Sequence, residues 1–218
     1  MGCGFFISFE GIDGAGKTTQ VKRLAARLAA LGLEVLTVRE PGGTELGEAI
    51  RRILQDPGNV INARTETCLY AAARAELVAQ VILPSLQAGK VVLADRFADS
   101  TVAYQGAGRG LPEEQIVLVN ALVTQRLKPD LTILIDLPVG EALARAGRTK
   151  THDRMEMLGH SFFARVREGY LRLASSDPAR FVVLNGTKAP AELEGDIFEA
   201  VQEALKRCTG ISGDKMQR

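Results

Sequence analysis

Charge of one sign is what this chain most plainly lacks: 27 lysines and arginines face 26 aspartates and glutamates in 218 residues, a formal net charge of +1. So small a surplus gives no global basic field and removes the electrostatic support for binding a nucleic-acid polymer. Compact anionic ligands stay open. Cysteine is scarce as well. Cys3, Cys68 and Cys208 are odd in number and far apart in sequence, which argues against a disulfide framework and for a reducing cytoplasm. No basic segment followed by a long apolar stretch stands at the N-terminus, and no apolar run approaches the ~20 residues of a spanning helix, so neither a secretory route nor a membrane is expected. There is no internal repeat and no low-complexity tract.

What is present is enough apolar material, 46% of the residues, to bury one sizeable core, and nothing demands a second one. Short β-rich runs at Phe5 to Phe9, Val35 to Val38, Val91 to Ala94, Leu131 to Ile135 and Phe181 to Leu184 alternate with segments of helical period. That alternation predicts a parallel sheet. Runs apolar on both faces, such as Leu131-Thr132-Ile133-Leu134-Ile135, belong in a sheet covered on each side by helices. The first helix carries Val21, Leu24, Leu28 and Leu31 at helical spacing, with Gly32 as its C-cap. Further helices are expected over Leu46 to Gln55, Glu66 to Leu83, Pro112 to Leu127, Val139 to Ala146, Ser161 to Ser175 and Ala191 to Lys206. Gly106 to Gly110 and Arg148 to His152 read as flexible breaks, and residues 208–218 as a frayed tail.

The chemistry is concentrated at strand ends. Gly11-Ile12-Asp13-Gly14-Ala15-Gly16-Lys17-Thr18 fits G-x-x-x-x-G-K-[ST], follows the first strand and opens the first helix. Its glycines let successive backbone N–H groups turn toward one anion, Lys17 brings a point charge to the outer phosphates, and the Thr18 hydroxyl is placed to ligate Mg²⁺. A nucleoside triphosphate is the expected ligand. Asp13 is a carboxylate among phosphates, which suggests a purpose: a bridge through Mg²⁺ or Lys17, a hydrogen bond to a second substrate, or a cap on the loop backbone. In an open parallel sheet, ligands bind at the carboxyl ends of strands, which draws attention to Arg39-Glu40-Pro41-Gly42-Gly43-Thr44 after the second strand and Asp95-Arg96 after the third. Asp95 either orients the metal's waters or locks Arg96, and Arg96 is suited to clamp a phosphate. Asp136, at the end of the fourth strand, reads as structural. A second basic group, Arg145, Arg148, Lys150 and Arg154, surrounds Gly147 and suggests a flap that closes over a transferring phosphoryl group. Tyr70 and Arg74 share a helix face, and Tyr104-Gln105 follow the third strand, offering rings and polar groups for a base.

Taken together these residues resemble the bacterial thymidylate kinase family, over nearly the whole chain to about Lys206. The marks are Phe9 to Thr19, Arg39 to Thr44, Tyr70-Ala71-Ala72-Ala73-Arg74, and Asp95-Arg96-Phe97-Ala98-Asp99-Ser100-Thr101-Val102-Ala103-Tyr104-Gln105-Gly106. The resemblance implies an α/β, single-domain P-loop kinase fold: a five-stranded parallel sheet with helices on both faces and a basic lid. It implies one domain over residues 1–207, with the lid at about 146–156. It implies transfer from ATP to dTMP with Mg²⁺ held at Thr18 and Asp95, and a cytoplasmic homodimer. By resemblance Gly11 through Thr19 bind the ATP phosphates, and Arg96 holds the dTMP phosphate with Glu40, Pro41 and Arg51 close by. Thymine stacks on Tyr70, bonds to Arg74 and Gln105, and is flanked by Ser100 and Thr101. Tyr104 packs beneath the sugar and disfavours a ribose. The family divides by the site of a catalytic arginine. Gly14 stands where one group carries it in the loop, so this chain resembles the lid type, with Arg148 and Arg154 as candidates and Arg145 on the ATP base. Two departures are Tyr70, where phenylalanine is usual, and Phe97, where tyrosine or histidine is common. The rivals are a deoxynucleoside kinase, which also suits Asp95-Arg96, and a GTPase-type switch. Against the switch, the chain has no Asn-Lys-x-Asp guanine reader.

Overall fold

The computed structural model describes residues 4–146 and 154–209. Five strands, β1 (Phe5–Glu10), β2 (Val35–Arg39), β3 (Val91–Asp95), β4 (Leu131–Asp136) and β5 (Phe181–Asn185), pair in parallel in the order β2-β3-β1-β4-β5. Phe5 registers with Val91 and Ile7 with Leu131. Every expected strand is present within a residue or two. β1 lies at the centre, so all six of its residues are buried. Phe5, Ile7 and Phe9 enter the larger apolar cluster with Leu24, Leu28, Ile133 and Val201, while Phe6 joins Leu77, Val78, Ile82, Val92 and Phe97 in a second one. The period-two alternation of a strand has placed these rings on opposite faces.

The helices are α1 (Lys17–Ala30), α2 (Glu45–Gln55), α3 (Ala63–Leu77), α4 (Leu83–Gln87), α5 (Ala98–Thr101), α6 (Glu113–Val123), α7 (Val139–Ala146), α8 (Gly159–Ser176) and α9 (Pro190–Thr209). Four segments differ from expectation. The helix expected over Glu66 to Leu83 starts earlier and is interrupted by a wide π turn at Val78–Ile82. Pro84 lies within the first two positions of α4; it has no N–H for the preceding turn and its ring crowds the carbonyl four residues back, so the ladder loosens there. The helix expected to Leu127 stops at Val123, where Gln125 and Arg126 take φ of 52° and 63°. α9 continues to Thr209, past the expected start of a tail.

The fourth difference concerns the segment that carries much of the site. The expected break at Gly106 to Gly110 is helical as far as Gly108: α5 runs into a π helix, Val102–Gly108. Its glycines serve close approach, not flexibility. A Cβ at Gly108 would lie 2.7 Å from the Phe162 ring and 2.8 Å from Val166, and one at Gly169 would lie 2.7 Å from the Ala107 methyl. The helix and α8 are thus packed nearly backbone to backbone.

By length and composition the stretch Ala63–Gln87 would suffice to cross a membrane, with a hydropathy of 1.2. It is broken by the π turn, and Leu77, Val78 and Ile82 within it belong to the apolar cluster beneath the sheet.

Candidate active site

The carboxyl ends of β1, β2 and β3 open into a cleft of about 890 Å³, near the top of the range for small-molecule sites. Asp13, Gly14, Gly16, Lys17, Thr18 and Thr19 line it, while Ile12 and Ala15 are buried beneath. Gly16 caps α1 at φ 95°, and the first turn of α1 contains no acidic residue, which leaves its N–H groups and dipole for an anion. A Cβ at Gly14, where φ is 81°, would meet the Ala142 carbonyl oxygen at 2.2 Å. This backbone therefore has no room for a loop arginine at that position.

Lys17 Nζ donates to the carbonyls of Gly11 and Ile12 at 3.0 and 2.9 Å. Burial, and after it the Arg96 charge, bring its pKa down to about 8 against the pull of Asp13, Asp95 and Glu10. A lysine so placed is short of anionic partners, the condition a polyphosphate would correct. Thr18 Oγ1 donates to Asp95 Oδ2 at 2.5 Å. One hydroxyl and one carboxylate in contact, beside a phosphate loop, are the donor types by which a P-loop holds Mg²⁺ when phosphate oxygens and water complete the shell. The residues fit that ion.

Arg96 has φ 75°, a strained value for a long side chain and a feature that clusters at functional sites. Its Nη1 faces Gly11 O, Ser100 Oγ and Tyr170 Oη at 3.1 to 3.2 Å, and its Nη2 donates to Asp13 Oδ1 at 2.7 Å and Tyr104 Oη at 2.9 Å. Tyr104 Oη in turn donates to Asp13 Oδ2. Burial alone would raise Asp13, but Arg96 and Lys17 outweigh it and hold the carboxyl below its usual range. Asp13 thus turns to Arg96 and Tyr104, an arrangement outside the alternatives its position in the loop had suggested. It locks the guanidinium expected to meet the acceptor phosphate.

Two of the expected site arginines are taken up by protein acceptors. Arg74, read as a donor to a base, is 1% exposed and engages Glu40 Oε2, Thr101 Oγ1, Asn120 Oδ1 and the Phe97 carbonyl through all three nitrogens. It lines the cleft, as expected, and in this structure ties the wall together as well. Arg154, read as a transition-state group, lies outside the cleft lining: its Nε donates to Leu54 O, its backbone N–H to Gln55 O, and its Nη2 pairs with Glu66 at 2.5 Å. It ties the chain at residue 154 to α2 and α3. Residues 147–153, including Arg148, lie outside the described residues.

The other expected residues are brought together. Glu40, Pro41, Arg51, Tyr70, Ser100, Thr101, Tyr104, Gln105 and Arg145 all line the cleft. Tyr70 packs beside Ile50, Leu54 and Ala73, Arg51 donates to the Pro41 carbonyl, and Arg145 donates to the Gly186 carbonyl just beyond β5. Phe97 is a core ring packed edge-on against Phe6, which accounts for its lack of a polar group. Asp136 accepts two bonds from Arg167 and is structural, as expected.

Sequence reasoning noted Glu10 only as a charged strand end without giving it a role, and missed Glu66, Asn120 and Tyr170. Glu10 accepts from the Phe97 N–H, Ser100 Oγ and Tyr170 Oη. Burial first, then the charge of Asp99, push it up to about 7, against those hydrogen bonds and Arg96. The available signal was a glutamate ending a strand otherwise buried throughout.

A family model described as thymidylate kinase matches residues 9–197. A thymidylate kinase of Desulforudis audaxviator is 48% identical over 96% of this chain and 98% of its own length, and one of Deinococcus radiodurans is 49% identical over 93% and 98%. The crystal structure of thymidylate kinase from Ehrlichia chaffeensis superposes with a TM-score of 0.75 at 34% identity, covering 93% of this chain and all of that one.

Proposed function

This chain belongs to the thymidylate kinase family and phosphorylates dTMP to dTDP, and from that premise we propose that Mg-ATP is the donor and that the cleft residues divide the work between two nucleotides. The observation that carries the reading is the junction at the sheet's edge. The phosphate loop with Lys17 lies on one side of Asp13, and Arg96, Tyr104 and the base-sized pocket of Tyr70 and Gln105 on the other.

The ATP phosphates lie against the loop N–H groups and the start of α1, and their charge restores Lys17 to full protonation. Mg²⁺, when bound at Thr18 and Asp95, supplies charge neutralisation across the donor phosphates. Arg145 faces the ATP base. Arg96, fixed in place by Asp13 and Tyr104, aligns the dTMP phosphate for in-line transfer. That phosphate is already largely ionised near neutral pH, so no strong general base is called for. Thymine lies against Tyr70, the sugar over Tyr104, and Glu40, Pro41, Arg51, Ser100 and Thr101 close the pocket. One catalytic domain, residues 1–207, does this, with the lid at about 146–156 bringing Arg148 to the transferring group. ADP release with dTMP, dUMP, UMP, dCMP, AMP, GMP, thymidine or no acceptor tests the assignment. Strong preference for dTMP is expected, and acceptor-independent release would sink it. In the same assay Arg148→Ala should depress kcat far more than it raises the KM for dTMP, whereas a pure KM effect would demote Arg148 to binding.

We also propose a cytoplasmic homodimer. α6 presents Val117, Leu118 and Leu122 at 50, 70 and 78% exposure, a row of apolar side chains that a second copy would cover isologously. Sedimentation of the purified protein at micromolar concentration should give about twice the chain mass, and a monomer there would remove the proposal. Cell fractionation checks the compartment.

A further inference from the structure

Glu66 is fully buried beside the cleft and takes no part in the steps above. From α3 it meets three side chains: it accepts from Gln105 Nε2 at 2.9 Å and from Arg109 through Nε at 3.3 Å and Nη2 at 2.9 Å, and it forms an ion pair with Arg154 Nη2 at 2.5 Å. Burial by itself would raise its pKa, but bonds from Arg109, Gln105 and Arg154 more than offset this and hold it below the usual range. It is an anion with nothing to donate. Whichever end of the Gln105 amide faces it must therefore be the NH₂, and this fixes a group whose two ends are nearly alike in shape. With Nε2 committed to Glu66, Oε1 is the amide atom left for the cleft that Gln105 lines.

We propose that Glu66 is a positioning residue for base selection: by holding the Gln105 amide it makes the pocket present an acceptor, and so an imide base in place of an amidine-type one. The proposal rests on the reading of the cleft as a thymidylate site. Thymine carries an N–H at N3 that pairs with Oε1. Cytosine carries an unprotonated N3 on the same edge, so two acceptors would meet, and a site built around one hydrogen bond strongly rejects a partner that cannot complete it. Because Arg154 shares the carboxylate, the residue that ties the chain at 154 to α2 and α3 also steadies the group that reads the base.

Glu66→Gln tests this with a defined direction. The Nη2 groups of Arg109 and Arg154 both reach Oε2 at 2.9 and 2.5 Å, whereas at Oε1 Arg109 Nε stands only at 3.3 Å beside Gln105 Nε2, so the introduced amide keeps its oxygen at Oε2 and places its NH₂ in the Oε1 position, facing Gln105. Gln105 must then turn round and put its own NH₂ into the pocket. In the purified full chain with saturating Mg-ATP, the ratio of kcat/KM for dTMP to that for dCMP is expected to fall by at least about tenfold, through loss on dTMP together with gain on dCMP, and with KM moving more than kcat. Gln105→Met removes the reading amide and leaves Glu66 its two arginines. It should lower the ratio as well, and in that background Glu66→Gln should change the ratio by less than about twofold. A Glu66 with a merely structural role would impair both acceptors alike in both backgrounds, and that result overturns the proposal. So does a folded Glu66→Gln with the wild-type ratio. If that variant does not fold, an unchanged ratio in Gln105→Met overturns the proposal and a lowered one supports it. Failure of the underlying reading would look different: the unaltered enzyme would itself show no preference for dTMP over dCMP.

Discussion

Lys17→Met is expected to lower phosphoryl transfer by about three orders of magnitude while leaving the ligand-free protein at least as stable as before. The two effects come from one placement. Lys17 is buried, and its nearest hydrogen-bond acceptors are two uncharged loop carbonyls, so its charge is held at a cost until phosphate arrives. Its folded pKa, about 8, lies below the ordinary lysine value of 10.5. The protonated form is therefore the one the folded state disfavours. The cost is fully present below pH 8 and is relieved as pH rises from there toward 10.5. Removing the ammonium group removes the cost, and the methionine keeps the stem packed. Binding runs the opposite way, because the phosphates need the proton that Lys17 gives up above pH 8. The KM for ATP should stay flat to about pH 8 and then rise, by up to about tenfold per pH unit. Thermal unfolding and a pH series of ATP saturation curves check both halves. Near-normal turnover in Lys17→Met, or a KM for ATP that stays flat to pH 9.5, would remove the lysine from the role given it.

Arg74→Met should be the most damaging substitution to the fold around the pocket, costing about 3–5 kcal/mol. The guanidinium is the common donor to Glu40, Thr101, Asn120 and the Phe97 carbonyl, and it ties α3 to α6 and to the segment after β3. Without it, the Glu40 carboxylate is left buried with no counter-charge, and one of its oxygens, Oε1, already has no hydrogen-bond partner among the described residues. Burial already raises the Glu40 pKa, opposed chiefly by Arg74, so losing the arginine drives it further up. A carboxyl with a folded pKa above its unfolded one stabilises most below the unfolded value, and that contribution is lost as pH climbs through the folded value. The deficit of Arg74→Met should accordingly shrink toward pH 5, and adding Glu40→Gln should restore part of it at neutral pH. At pH 7.5 the unfolding midpoint should fall by roughly 10 °C. A fall under about 2 °C would mean that the buried pair does not hold the wall.

The chain shows why some of this was legible in one dimension and some was not. β1, the phosphate loop and the start of α1 follow from adjacent residues, because backbone N–H groups, glycine torsions and a helix terminus are local matters. Strand ends pointed to Asp95 and Arg96 for the same reason. Arg74 and Arg154 were recognised as belonging to the site, but not the protein groups that hold them. Both were treated as charges free to reach a ligand. What an arginine does depends on which acceptors surround it, and these come from positions 23 to 100 residues away. Glu66 gave no signal at all, since a glutamate in the first turn of a helix is also what the helix dipole prefers. Gly108 looked like part of a break because propensity counts only the residue itself, while its value lies in the helix packed against it.

By itself the sequence determined the class of fold, the strand and helix order, the phosphate loop with its lysine and threonine, and the family to which the chain is similar. All of these depend on short-range periodicity or contiguous motifs. The tertiary structure alone decided that Asp13 holds Arg96, that Arg74 ties the cleft wall together, that Arg154 is bound to α2 and α3 and that Glu66 holds the Gln105 amide. Each is a pairing of buried polar groups across different elements. Such groups must find partners once water is excluded, and which partner is within reach is settled only when the sheet and its helices have closed around them.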